Sequence, residues 1–165
     1  MSLWAVLDYV KSQVDDLPST YYGNSKAKIM PDVPGKTDPG TPLIHVFTNH
    51  LSEKRQTMPR ASNAGMGGYK KAKHSVDLFV LVTGKSTGAY ADQAFPIFLE
   101  AVMAKLRSVE LTIPITDPDT GAASTILSIG EEFEVEIAPV VTIATQRMVA
   151  WQSRITCPVD EAFFG

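Results

Sequence analysis

The chain has 165 residues, of which 44% are hydrophobic and 20% charged, and it carries a formal net charge of −3. That is the size of one ordinary domain, able to bury roughly 70% of the surface its unfolded chain exposes, and its composition excludes global disorder. The single Cys157 excludes an intramolecular disulfide and any CxxC zinc or redox pair, and the acidic total confines nucleic-acid binding to a local patch.

Leu3, Val6, Leu7, Val10, Val14 and Leu17 recur at spacings of three and four, which predicts an amphipathic helix with Ser2 as its N-cap and Pro18 near its end. The same N-terminal stretch lacks a basic start, a continuous apolar run and a small-residue cleavage site. No apolar run in the chain approaches membrane-spanning length, so synthesis and assembly in a cytoplasm, with no membrane partner, are expected. Ser19 to Pro42 is rich in turn formers, above all PDVPGKTDPGTP (31–42), with four prolines and two glycines. It reads as a Pro/Gly-rich surface connection inside a single domain spanning 1–165, because the helix before it is too short to fold alone.

Leu43 to Asn49 is a β-branched and aromatic run, the first expected strand. Beyond it lies a basic, glycine-rich loop at Ser52 to Lys73, carrying Lys54, Arg55, Arg60, Lys70, Lys71 and Lys73 against the single acid Glu53. A loop of that length inside a compact domain is either functional or waits for a partner to order it. From Lys70 to Thr83 the even positions Ala72, Val76, Leu78, Val80 and Val82 are apolar, while Lys71, Lys73, Ser75 and Asp77 take the other face until Phe79 and Leu81 make both faces apolar. The two strands and their loop read as a hairpin with a long arm at its tip.

Phe95, Phe98, Leu99, Val102, Met103 and Leu106 mark a second amphipathic helix, with Asp92 as N-cap and Pro96 tolerated in the first turn. Next, LTIPITDPDTGAASTILSIG predicts two short strands about a turn at Asp117 to Gly121, the first an edge strand because of Pro114. In EEFEVEI, Phe133, Val135 and Ile137 alternate with Glu132, Glu134 and Glu136, the pattern of a half-buried strand. A last strand, roughly Thr145 to Val159, places Val149, Trp151, Ile155, Cys157 and Val159 on one face and Gln146, Gln152, Arg154 and Thr156 on the other. The expected fold is α+β, a mainly antiparallel sheet covered by two helices, with a long hairpin arm.

Patterns associated with catalysis do not assemble, so no catalytic residue, cofactor or metal site is assigned and the chain is read as a non-enzyme. VLVTGKST (80–87) has the setting of a phosphate-binding loop, but Phe79 stands where its leading glycine is needed. His45 and His50 fall on opposite faces of a regular strand, and His74 shares the parity of the core residues, as a satisfied or boundary histidine. Asp117, Asp119 and Thr120 resemble the start of a calcium loop, yet the chain continues as ASTILSI without its further ligands, so a hairpin turn is expected. Glu132, Glu134 and Glu136 read as a solvated strand face rather than an acid–base pair, and Cys157 as a small buried hydrophobe.

The order of elements resembles a family. An N-terminal helix, a hairpin with a long tip loop, a helix introduced by YADQAFPIFLEAVMAKLRSV and closing strands ending QRMVAWQSRITCPVDEAFF look like the small neck and tail-completion proteins of long-tailed bacteriophages, the tail terminators above all. The resemblance implies a virion protein without catalytic residues. Its homo-oligomer, a hexameric ring, caps the tail tube protein and meets the head-tail connector or stopper, and DNA passes through the lumen without specific binding. The loop from Ser52 to Lys73 matches the family's extended hairpin arm, and Glu132, Glu134 and Glu136 lie on a strand suited to line the hole. Phe79 and Leu81 supply apolar area for a subunit interface. The insert at Pro31 to Pro42 and the hairpin at Leu111 to Ile129 depart from smaller members. Connector, stopper and tail-tube subunits remain alternatives, as does a nucleic-acid-binding module using the basic loop.

Overall fold

A computed structural model describes residues 3–29, 40–55, 69–84, 91–107, 112–143 and 148–164. In chain order these form α1 (Leu3–Val14), β1 (Lys26–Ile29), β2 (Leu43–Arg55), β3 (Tyr69–Gly84), α2 (Ala91–Arg107), β4 (Ile113–Thr116), β5 (Ala123–Ile129), β6 (Glu134–Ile143) and β7 (Met148–Phe164). The sheet order is β1-β2-β3-β7-β5-β4, with β6 also pairing β7. Every pairing is antiparallel except β1 with β2.

The two longest strands organise the sheet. β3 runs against β7 from Tyr69↔Phe164 to Gly84↔Val149. The other edge of β7 is shared, with β6 along 148–156 and β5 along 159–162. The even positions of β3 face the helices: Val76, Leu78 and Val80 are fully buried, together with Ile155, Cys157 and Val159 of β7. Against them pack Val6, Val10 and Val14 of α1 and Phe95, Phe98, Val102 and Leu106 of α2. Helix α1 touches β1 and β2 but also β4, from the other end of the strand order, so the sheet curls about it.

The end of α1 is held by a residue that sequence patterning did not single out. Buried Ser25 donates its hydroxyl to the Val14 carbonyl at 2.6 Å and accepts from the Leu17 amide at 2.9 Å. Asp16 adopts a positive φ of 52°, and its amide donates to the Ser25 carbonyl at 2.8 Å. These bonds satisfy groups that a helix C-terminus otherwise leaves open. They also aim the chain into β1, a strand absent from the sequence expectation, which read Ser19 to Pro42 as connection throughout. Residues 30–39 of that stretch, and Ser2, lie outside the described residues.

The first expected strand is longer than its apolar run. β2 continues to Arg55, so Ser52 pairs with Lys73 and Arg55 with Lys70. Both flanks of the expected loop are therefore ladder, and 56–68 lie outside the described residues. In α2, Asp92 is the second helical residue rather than the cap, and Pro96 the sixth, beyond the first turn. An interior proline costs about 3 kcal/mol, which the burial of Phe95, Phe98, Leu99, Val102 and Leu106 outweighs at roughly 1.5–3 kcal/mol for a large apolar side chain. The β4–β5 hairpin is as expected, with Pro114 on an edge strand and the Asp117 carboxylate accepting from the amides of Asp119 and Thr120 at 2.8 and 3.1 Å.

Candidate functional site

The sheet has one face under the helices and one face without them, and the polar chemistry concentrates on the second. The registers define rows across it: His45–Phe79–Arg154–Glu136, Phe47–Asp77–Thr156–Glu134 and Leu43–Leu81–Gln152–Ala138. Phe79 and Leu81 sit here half-buried, flanked by His45 and Arg154 and by Leu43 and Gln152. Asp77 has the parity expected of it but not the exposure: it is fully buried. Two nitrogens of Arg154 donate to its Oδ2, Nε at 2.9 Å, and the Thr156 hydroxyl donates to its Oδ1 at 2.9 Å. That set satisfies a carboxylate that would be costly to bury alone. The hydrogen bond to Asp77, then its charge, holds the Arg154 guanidinium pKa above its ordinary value, with Glu136 adding a smaller push.

Glu132, Glu134 and Glu136 are all exposed, and β6 begins only at Glu134. Their apolar partners depart from expectation. Phe133 is half-buried beneath the Arg107 guanidinium, 4.9 Å from its ring centre, but Val135 is 38% exposed and Ile137 55%. Both have helix-side parity, opposite Ile155 and Ser153, yet the helices do not cover them. Among the described residues β6 pairs only with β7, so its outer edge carries this exposed apolar pair.

Lys54 pairs with Lys71 and Arg55 with Lys70 in the ladder register. Lys70 approaches the Phe163 ring at 5.7 Å, Lys71 is half-buried and Lys73 exposed. Arg60 lies outside the described residues, as do residues 85–88 of the GKSTG turn, whose Gly84 ends β3.

The histidines are placed differently from one another and from the parity argument. A register shift between Thr48 and His50 breaks the alternation of β2, so His50 pairs with Ser75 and His45 with Phe79, and both histidines belong to the helix-free face. His74 is fully buried on the helix side, its Nε2 2.7 Å from Oε2 of Glu161, which is also fully buried. Its Nδ1 has no hydrogen-bond partner among the described residues. Glu161 lies beyond the Thr145 to Val159 span that patterning predicts for the last strand, which runs on to Phe164, and its odd number is shared with Ile155, Cys157 and Val159. Burial pushes the Cys157 thiol up to about 12, as a core cysteine should behave.

No protein-family model matches this sequence, and no curated protein is significantly similar to it.

Proposed function

We propose that this chain is a structural virion subunit of the neck of a long-tailed bacteriophage, a tail terminator whose copies form a ring on the tail tube. The observation that carries this reading is the exposure of Val135 and Ile137 on an edge strand, which supports a subunit surface covered by a neighbour. The basic run Lys70, Lys71 and Lys73 at the start of β3 favours an anionic neighbour there. In this reading the loop from Ser52 to Lys73, whose flanks lie on β2 and β3, is the assembly arm. The helix-free face of β6, which carries Glu134 and Glu136, fronts the lumen, and DNA passes there without specific binding. Phe79 and Leu81 contribute to subunit packing from the helix-free face. The ring is hexameric, its partners are the tail tube protein and the connector or stopper above it, and it performs no catalysis.

Light scattering and native mass spectrometry of the purified protein, alone and with tail tube protein, test the reading. Discrete rings that arrest tube growth are expected; a monomer under all conditions, or filaments, would overturn it. The basic ribbon favours one second reading, a nucleic-acid-binding module. That reading requires duplex affinity that falls steeply with salt and is lost on neutralising Arg55, Arg60 and Lys71.

A further inference from the structure

We infer that copies of this chain join edge to edge, the acidic outer strand β6 of one copy adding to the basic outer strand β1 of the next, so that one sheet continues across the interface. This rests on the ring reading only in requiring that copies associate. The two strands stand at opposite edges of the same sheet and at the same level. The registers run Lys28–His45–Phe79–Arg154–Glu136 in one row, Ala27–Ile44–Val80–Ser153–Ile137 in the row beside it, and Ile29–Val46–Leu78–Ile155–Val135 in the row on its other side. Among the described residues β1 pairs only with β2, and β6 only with β7.

The two edges match in chemistry on both faces. Lys26 and Lys28 are exposed and share the helix-free face with Leu43 and His45. Glu134 and Glu136 are exposed and share that same face with Thr156 and Arg154. Each set is spaced by two residues, about 6.6–6.8 Å along a strand, so an antiparallel pairing set two residues from level brings Glu134 opposite Lys28 and Glu136 opposite Lys26. On the helix side of that register exposed Val135 lies opposite Ala27, with Ile29 diagonal to Val135 and exposed Ile137 diagonal to Ala27. A shift by one residue would set charge against apolar side chain on both faces, so the pattern also fixes the register to even steps.

Direction agrees too. β1 runs parallel to β2, and each further step through β3, β7 and β6 reverses, so β6 is antiparallel to β1. A sheet continued into the next copy therefore forms an antiparallel pair, which needs no crossover. The contact uses different surfaces on its two sides, and such heterologous contacts close into rings when the rotation permits.

The test is charge exchange. In Lys26→Glu/Lys28→Glu both edges are acidic, and in Glu134→Lys/Glu136→Lys both are basic, so each variant repels itself. Each is expected to stay folded by circular dichroism and to lose self-association by at least about tenfold, equivalent to ~1.4 kcal/mol. Mixed one to one, they should reassemble into oligomers of even, alternating composition, read by native mass spectrometry. Ile137→Asp provides a variant at an exposed side chain, outside the core, and should also loosen assembly by about tenfold or more. Rings from the charge variants or from Ile137→Asp that are as tight as wild type, or folded charge variants that do not rescue each other, would overturn the edge contact while leaving the ring reading intact. A wild-type monomer under all conditions would overturn both.

Discussion

Removing the carboxylate of Glu161 gives the sharpest view of how the sheet tolerates polarity in its core. Glu161→Leu leaves His74 fully buried with Nε2 deprived of its 2.7 Å partner, beside an Nδ1 that already lacks one among the described residues. Breaking a buried pair from one side costs about 3–5 kcal/mol, a large part of the ~5–15 kcal/mol that holds a domain together. For a chain of this length that corresponds to a fall in Tm of about 6–20 °C. The double variant His74→Leu/Glu161→Leu replaces both groups by apolar ones and should recover at least about 2 kcal/mol of the loss, because replacing a buried pair by apolar groups is often close to neutral. Urea titration followed by tryptophan fluorescence suits the measurement, since Trp151 stacks on Phe95 at 5.7 Å whereas Trp4 is 47% exposed. A Glu161→Leu cost below about 1 kcal/mol, or a double variant no more stable than the sum of the single losses, would refute the coupling.

Ser25→Ala removes the hydroxyl that serves both the Val14 carbonyl and the Leu17 amide, and should cost about 1–3 kcal/mol in the same titration. Gly130→Ala should cost more than ~1–2 kcal/mol, since the residue has φ of 65° and a Cβ there would lie 2.3 Å from the Phe133 ring; thermal unfolding reads the loss. The raised Cys157 pKa predicts alkaline instability. The unfolded thiol ionises near 9.0 and the folded one near about 12, so above pH 9 the unfolded state binds fewer protons and stability falls as pH climbs through that window. Tyr9 and Tyr22, raised by burial, act in the same direction. Cys157→Ala should flatten the pH profile between 9 and about 12, and native Cys157 should resist thiol reagents until the protein unfolds.

Alternation and helical spacing were strong where one face meets the core. The even residues of β3, the odd residues of β7 and the apolar stripes of both helices could be read directly because burial acts on every second or every third and fourth residue. β1 was not read because its four residues, KAKI, lie between turn formers, and their alternation is too short to outweigh that setting. The parity of His45 and His50 misled for a different reason: a bulge changes which face a residue takes without leaving a mark in composition. Alternation likewise predicts which side Val135 and Ile137 take, but not that α1 and α2 stop short of β6. Asp77 shows the converse, a charged residue on the helix-free face buried by Arg154 and Thr156, partners more than seventy residues away in sequence. Of the candidate surface, the acidic and basic residues were legible as charges; their placement on opposite edges, at one level and on one face, follows only from the sheet order.

Native mass spectrometry of the wild-type protein, paired with electron micrographs of the same sample, tests the assembly reading most directly. Closed rings of uniform subunit number are predicted, and they should remain discrete as concentration rises. Monomers at every concentration, or open filaments that lengthen with it, would contradict it.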